Sequence, residues 1–570
     1  MKLNTVISIA GTLYRLLSKK HKMYLVFLIA LTIGLSLLET IGISVIMPFI
    51  SIAADPALLD SGWYKKIFDL FGFIEKTRFI IALGIVIICF YLFRGAYYLT
   101  HIYCINRFSQ ALYKYFSRKL FNAFLAIPYK LFTQKNSADL MQIIVFESQH
   151  AGNFVLNTLE LSSELCTVLC VYILMLVMNW KMTLVLTAVL TVIILSFVRF
   201  LLRKTKAMGG KRSSSETAIF RILRETFGNF KFVKLKGNEK SVMRVFDSSL
   251  ETYSRAQVTS NTLKLVPKSI LECVGFSLLV AAVIFILLTY RDPAKVIPIV
   301  AMYTLAMYRI LPSVHRLLGN TNNLVFIRGA LDTVHNNIFQ QTEDEGAAPI
   351  AFEKSIRLEN VSFAYVPGSV VLNSVSLEIA KGERVAIIGE SGSGKSTLAD
   401  LITGVNKPSS GTIYIDGNAL TGENIRAWRS KIGYIPQSIY LFDGTVAENV
   451  AFGSEPDDGR IRRALQQANI WDFLSTKEGL HTLVGEGGIQ LSGGQQQRIA
   501  IARALYDDPD VLVLDEATSA LDTETEIKIM DEIYSNLSRD KTLIVIAHRL
   551  STVERCGRKI RIENGGMSFV

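Results

Sequence analysis

Eight residues, Gly389 to Ser396, read GESGSGKS and fit the pattern of a glycine, four residues, then Gly-Lys-Ser. In such a loop Gly392 and Gly394 let successive backbone N–H groups turn toward one phosphate, with Glu390, Ser391 and Ser393 filling the positions between. A helix opening at Ser396 and Thr397 would add the positive end of its dipole. Lys395 is placed to reach the β- and γ-phosphates, and Ser396 to hold Mg²⁺, so ATP with Mg²⁺ is the ligand this set fits. The ordinary alternative is a glycine-rich strand-to-helix turn with no ligand.

The elements that must position the loop are legible beside it. Arg384 to Ile388 (RVAII) reads as a short buried strand and Thr397 to Thr403 (TLADLIT) as a helix. Farther along, Val511 to Asp515 (VLVLD) is a continuous apolar run, as expected of a strand buried on both faces. It ends in a carboxylate that can hold Mg²⁺, with Glu516 beside it to orient or deprotonate water. Gln437 follows GYIP and can offer its amide to Mg²⁺ or water. His548 follows TLIVIA and can bond a γ-phosphate, and Tyr365 offers a ring for adenine. Singly these are also an ordinary carboxylate pair, a loop Gln, a capping His and a core Tyr. One more stretch weighs against that: Leu491 to Gln495 reads LSGGQ ahead of the amphipathic QQRIAIARAL. Ser492 with the amides of Gly493 and Gly494 makes a second phosphate nest, which the first does not need within one chain.

Composition sets these motifs in a membrane protein. Of 570 residues, 50% are hydrophobic and 19% charged, and the mean hydropathy is +0.33. That balance is apolar for a soluble chain. Apolar runs fall at 24–54, 79–104, 155–180, 182–202, 270–290 and 296–311, predicting six spans. The first, 31 residues, would be about 46 Å long and must tilt or project beyond a core of about 30 Å. The net charge of +12 could suggest nucleic acid, but Lys and Arg cluster in loops between spans, and nucleic acid is not an expected partner. The long connections 105–154 and 203–267 carry most of them, which places these loops and both termini in the cytoplasm. Short outer turns are predicted near Lys181 and at 291–295. No removable signal peptide is read at the N-terminus.

Three further features have two readings each. The first outer loop sets Trp63, Ile67, Leu70 and Phe71 on one helical face, suited to a membrane interface or to a plain capping helix. Arg94, Lys268, Arg309 and Arg316 lie at or near membrane depth, where an unpaired charge costs about 2.5–3.5 kcal/mol or more at the centre. They either snorkel or pair with Glu39, Glu160, Glu164 or Glu272, or they line a water-filled path for an anionic head group. The six cysteines show no metal spacing and read as buried thiols. The acidic, small-residue stretch 340–349 reads as a linker, which gives a transmembrane domain over 1–340, a linker at 341–349 and a nucleotide-binding domain over 350–570.

In this order Tyr365, GESGSGKS, Gln437, LSGGQ, VLVLDE, SALD (Ser519 to Asp522) and His548 resemble the ATPase domain of ABC transporters, and with six spans the chain resembles an ABC exporter half-transporter. That resemblance implies a membrane α-helical domain of six transmembrane helices followed by an α/β P-loop ATPase domain with an antiparallel β subdomain and a helical subdomain. It implies a homodimer in which LSGGQ of one chain (Ser492, Gly493, Gly494, Gln495) closes over Gly389 to Thr397 of the other. By position it implies Tyr365 on adenine, Lys395 and Ser396 on phosphate and Mg²⁺, Asp515 on Mg²⁺, Glu516 as general base, and Gln437 and His548 on the γ-phosphate. Pro128 to Met141 and Gly228 to Lys240 look like the family's coupling helices. Ala138 and Gly487 depart from its usual Gly and Arg, which bears on coupling rather than on chemistry. ETIGISVIMPFI, LFTQKNSADLM, NFKFVKLK and GYIPQSIYLFDGTVAENVAFG resemble bacterial lipid-linked oligosaccharide flippases of protein N-glycosylation. That would make the cargo a polyprenyl-pyrophosphate oligosaccharide, moved from the cytoplasmic to the outer leaflet of the bacterial inner membrane. The same features suit a lipid A or multidrug exporter and, from another class, an ATP-gated channel or regulator.

Overall fold

The computed structural model describes residues 11, 13–54, 56–60, 62–70, 72–73, 75–289, 293–516, 530–531, 534–535, 540–546, 553 and 556–569. The chain divides into two compact units. One comprises Met1–Leu125 with Lys135–Gln340, the other Ala126–Gln134 with Gln341–Val570. The second unit thus takes in a short stretch from between two predicted spans.

The first unit is helical. Long helices cover Lys19–Ala54, Lys76–Leu125, Ser148–Gly228, Glu239–Thr289 and Pro293–Ile338. Three stretches among the described residues are long and apolar enough to cross a membrane: Lys19–Ile50, Lys76–Leu125 and Ser137–Ile173. The helix from Ser148 passes through Lys181 without a break, where a short outer turn was expected between the third and fourth spans. Asn179-Trp180-Lys181 contains no Gly or Pro, so nothing local interrupts the helical hydrogen bonds there. The outer-loop helix forms at Gly62–Leu70. Tyr64 and Phe68 pack it against Ile52, Leu59 and Phe79, while Leu70 stays exposed. The side chains of Trp63 and Ile67, and Phe71 entirely, lie outside the described residues.

The buried-thiol expectation holds for Cys556 alone, because Cys89 and Cys273 are exposed and Cys104, Cys166 and Cys170 half-buried. A span apolar on all sides does not reveal in sequence which face it turns inward.

One buried ionic cluster ties the first unit together beside a single π-helical turn, Ile143–Glu147. The Arg212 guanidinium sits between Glu147 and Glu216, at 3.5 and 3.2 Å, with all three side chains at most 7% exposed. Ser213 Oγ and Gln142 Nε2 each donate to Glu147 at 2.9 Å.

In the second unit, β1 (Ser355–Val366) and β2 (Ser369–Ala380) pair antiparallel as their alternation predicts. With β4 (Ser410–Ile415) and β5 (Asn418–Ala419) they form a four-stranded sheet. β3 (Arg384–Gly389), β6 (Ile432–Ile435), β7 (Val511–Asp515), β8 (Thr542–Ile546), β9 (Arg558–Glu563) and β10 (Gly566–Phe569) make a six-stranded sheet in the order β10-β9-β3-β8-β7-β6. All its pairs are parallel except β9 with β10. Every residue of β7 and β8 is buried, which their apolar sequences satisfy.

The stretch read as a linker is fastened to this unit. Both Glu345 oxygens accept from Arg429 Nη1 at 2.8 Å, and the amides of Gly346 and Ala348 donate to the carbonyls of Gly422 and Glu423. A Cβ at Gly346 would stand 2.3 Å from the Glu423 carbonyl oxygen, which accounts for a residue without one.

Replacing Arg212 with Met leaves two buried carboxylates without their counter-charge and is expected to cost about 3–5 kcal/mol. The thermal unfolding midpoint of the detergent-purified protein checks this, and an unchanged midpoint would show that the cluster contributes little.

Candidate functional site

The phosphate loop lies where its sequence predicts, between β3 and a helix over Lys395–Ile402. Gly392 and Gly394 have φ of 80° and 105°, left-handed values that a side chain disfavours and that turn the loop's amides to one side. At Gly394 a Cβ would also crowd Leu372 and Val371 at 3.1 Å. Lys395 is 4% exposed, and its Nζ donates to the carbonyls of Gly389 and Glu390 at 3.1 and 2.8 Å. Burial pulls its pKa down, against the opposing charges of Glu516 and Asp515. A buried ammonium bonded to two neutral carbonyls, in a ring of left-handed glycines, suits a phosphate that would bring the missing negative charge.

Asp515 closes the site from the next strand but one. It ends β7, is 7% exposed, and accepts from Ser396 Oγ on one oxygen at 3.2 Å and from Tyr434 Oη on the other at 2.9 Å. Glu516 follows with φ 46°, a strained value for a non-glycine residue and one common at functional positions. Its carboxylate accepts from Gln437 Nε2 at 2.6 Å. The structure therefore gathers Lys395, Ser396, Gln437, Asp515 and Glu516. His548 and Ser519 to Asp522 lie outside the described residues.

The oxygens of Ser396 and Asp515 with the amide of Gln437 are hard donors of the kind Mg²⁺ takes. Among the described residues no group of three or more His, Cys, Asp or Glu could hold a metal alone. A cation here would be held by Ser396 and Asp515 together with groups of its nucleotide. Such an ion would neutralise charge on the phosphates when bound. The protein's own part is to orient those oxygens and to hold Lys395 and Glu516 beside them.

Beside the phosphate loop Tyr365 crosses Phe363 edge to face, with ring centres 4.9 Å apart, and its hydroxyl lies 3.3 Å from Thr397 Oγ1. Gln134 Nε2 donates to the Tyr365 carbonyl and the Lys130 ammonium sits over the Phe363 ring. Segment 126–134, which includes a short helix at Tyr129–Phe132, therefore flanks the nucleotide site within its own unit. Asp400, on the helix of the phosphate loop, is pushed up to about 6 by burial and then by Asp515. The sequence did not single out Tyr434 or Asp400. Their signal is relational: Tyr434 pairs with Val513 in the sheet and shares a face with Asp515, which the chain order alone does not display.

LSGGQ takes a different place. Ser492 caps the helix Gly493–Leu505, its hydroxyl accepting from the Gln495 amide while the Gln495 side chain takes the Ser492 amide. Ser492 and Gly493 are exposed, so the start of this helix faces solvent in a single chain.

The membrane-depth charges are partly resolved. Arg94 Nη2 bonds Glu39 at 3.0 Å, and Thr167 donates to the other Glu39 oxygen at 3.2 Å. Arg316 forms a two-pronged pair with Glu164 and also reaches Ser313, so ion pairing rather than snorkelling holds it. The side chains of Lys268 and Arg309 lie outside the described residues.

Two family signatures match this chain, "ABC transporter transmembrane region" over 23–310 and "ABC transporter" over 372–519. Among curated relatives, an "ATP-dependent lipid A-core flippase" of Burkholderia pseudomallei (strain 1710b) is 36% identical over 372 residues, covering 64% of this chain and 62% of its own. The chain thus spans less than two thirds of the length of these Burkholderia relatives. A protein of the same name from Thiobacillus denitrificans is 30% identical over 534 residues, 92% of this chain and 91% of its own. In fold, the chain is similar to a bacterial Atm1-family ABC exporter with ATP bound, at a TM-score of 0.78 and 22% identity over 96% of this chain and 94% of that one.

Lys395→Ala is expected to weaken ATP binding by about tenfold or more, measured by equilibrium binding, since a charge-assisted contact is lost; wild-type affinity would contradict the loop's role. Glu516→Gln is expected to keep ATP bound while turnover falls by roughly 100-fold or more. Near-normal phosphate release would reject Glu516 as the base.

Proposed function

The chain belongs to the ABC transporters, and on that footing we propose that it is an ATP-driven flippase, working as a homodimer in the bacterial inner membrane on a saccharide-bearing lipid with a phosphate or pyrophosphate group. The observation that carries this reading is the second unit's composition. Segment 126–134, from between two membrane spans, packs with the ATPase residues and touches Tyr365 and Phe363. Nucleotide-driven movement at the site then has a direct route into the membrane helices.

Roles within the site follow from its geometry. Lys395 and the loop amides take the phosphates, Ser396 and Asp515 would hold Mg²⁺, and Glu516 stands ready to accept a proton from water. Gln437, now bonded to Glu516, can leave it for the cation or the water. Ser492 is exposed, which supports its use by a second copy, where it would complete the phosphate loop opposite.

Two cargo classes share the proposed chemistry. The names of the curated relatives favour a lipid A-core type of glycolipid. The stretches from Glu39 to Ile50 and from Gly433 to Gly453 favour a polyprenyl-pyrophosphate oligosaccharide. In either case Arg94 and Arg316, each already paired with a carboxylate, would exchange that partner for the phosphate of the cargo.

Proteoliposomes carrying labelled lipid A-core in one set and labelled polyprenyl-pyrophosphate oligosaccharide in another distinguish the two through ATP-dependent leaflet transfer. Transfer of neither would overturn the flippase reading. Arg94→Ala is expected to reduce transfer more than basal ATP hydrolysis, whereas equal loss of both would point to folding.

A further inference from the structure

Tyr434 has no role in the phosphate chemistry described above, yet among the described residues it makes one of the two side-chain hydrogen bonds to Asp515. Its strand, β6, lies at the edge of the six-stranded sheet and runs parallel to β7, with Tyr434 opposite Val513. Side chains two apart on a strand share a face, so Val513, Asp515 and Tyr434 all point to one side. That side carries the helix Lys395–Ile402, since Val513 belongs to the same apolar cluster as Leu398 and Ile402. Tyr434 Oη can therefore reach forward to Asp515 Oδ2 at 2.9 Å, while Ser396 Oγ meets Oδ1 at 3.2 Å.

A carboxylate at the end of a strand turns freely about its last bond unless both oxygens are held. With one oxygen bound by a phenol, the other is aimed at Ser396 and at whatever cation Ser396 takes. The phenol O–H is the donor in this contact and the carboxylate oxygen the acceptor. A phenylalanine would fill the same space without that bond.

We propose that Tyr434 is the positioning residue of the metal carboxylate: by holding Asp515 Oδ2 it presents Oδ1, beside Ser396, to the cation that accompanies ATP. This rests on the nucleotide reading above. Removal of the hydroxyl should loosen the cation's hold while leaving the phosphate loop intact, because Lys395 and the loop amides do not touch Tyr434.

The test uses the full-length protein in the Glu516→Gln background, where bound ATP persists, with Mn²⁺ as a spectroscopic stand-in for Mg²⁺. In the Tyr434→Phe variant, Mn²⁺ affinity of the ATP-loaded protein, read by electron paramagnetic resonance, is expected to fall about tenfold, the worth of one hydrogen bond to a charged group. ATP affinity in EDTA and the thermal midpoint should not change. Tyr129→Phe removes a hydroxyl that senses Asp400 and Tyr365 but is not bonded to Asp515, and should leave Mn²⁺ affinity alone. Unaltered Mn²⁺ affinity in Tyr434→Phe overturns the proposal, as does an equal loss of metal-free ATP binding or an equal effect of Tyr129→Phe. If the background protein with Tyr434 intact binds no ATP, the nucleotide reading itself falls, and the inference falls with it.

Discussion

The carboxylate of Asp515 is the group on which the nucleotide-binding half depends. It stands at the end of a strand whose every residue is buried, and a buried carboxylate without donors would be costly. Ser396 and Tyr434 supply those donors from two different elements, one on the helix after the phosphate loop and one on the edge strand. The backbone ladders through β8 set the spacing of β3 and β7, and the bond from Ser396 to Asp515 spans that spacing and ties the helix after the loop to the end of β7. Lys395, just before Ser396, and Glu516, just after Asp515, inherit their positions from the same bond.

Much of this was legible in the sequence because motif spacing and local structure agree. GESGSGKS needs a strand before it and a helix after it, and RVAII and TLADLIT supply both by composition alone. VLVLD declares a strand buried on both faces. The contribution of Tyr434 was not legible, because it depends on which strand lies beside β7, and Tyr434 comes 81 residues and several elements before Asp515. The fastening of residues 341–349 was also hidden: their small, acidic composition looks like a free linker, whereas Glu345 holds Arg429 and Gly346 is pressed against a carbonyl.

Membrane-half charges show a related limit. Sequence places Arg94 and Arg316 at or near membrane depth and names candidate partners, but the periodicity of an all-apolar helix does not say which carboxylate will be within reach. The structure chooses Glu39 for one and Glu164 for the other. Each pair joins different helices, so each charge is compensated across a helix contact. Arg212 differs: enclosed by Glu147 and Glu216 with almost no exposure, it is a fixed joint rather than an exchangeable one.

The exposed Ser492 and the gathered Lys395 site pose one physical question between them. A phosphate held only by the loop, Lys395 and a cation keeps an open side to water, and an open side weakens every electrostatic contact inside. A second nest of amides, already formed and capped at the start of a thirteen-residue helix, is the chemical complement of that open side. In the homodimer proposed above, one chain would carry both halves of the closure, and symmetry would let two chains satisfy both at once, each giving its nest to the other's loop. Nucleotide would then be the adhesive between copies.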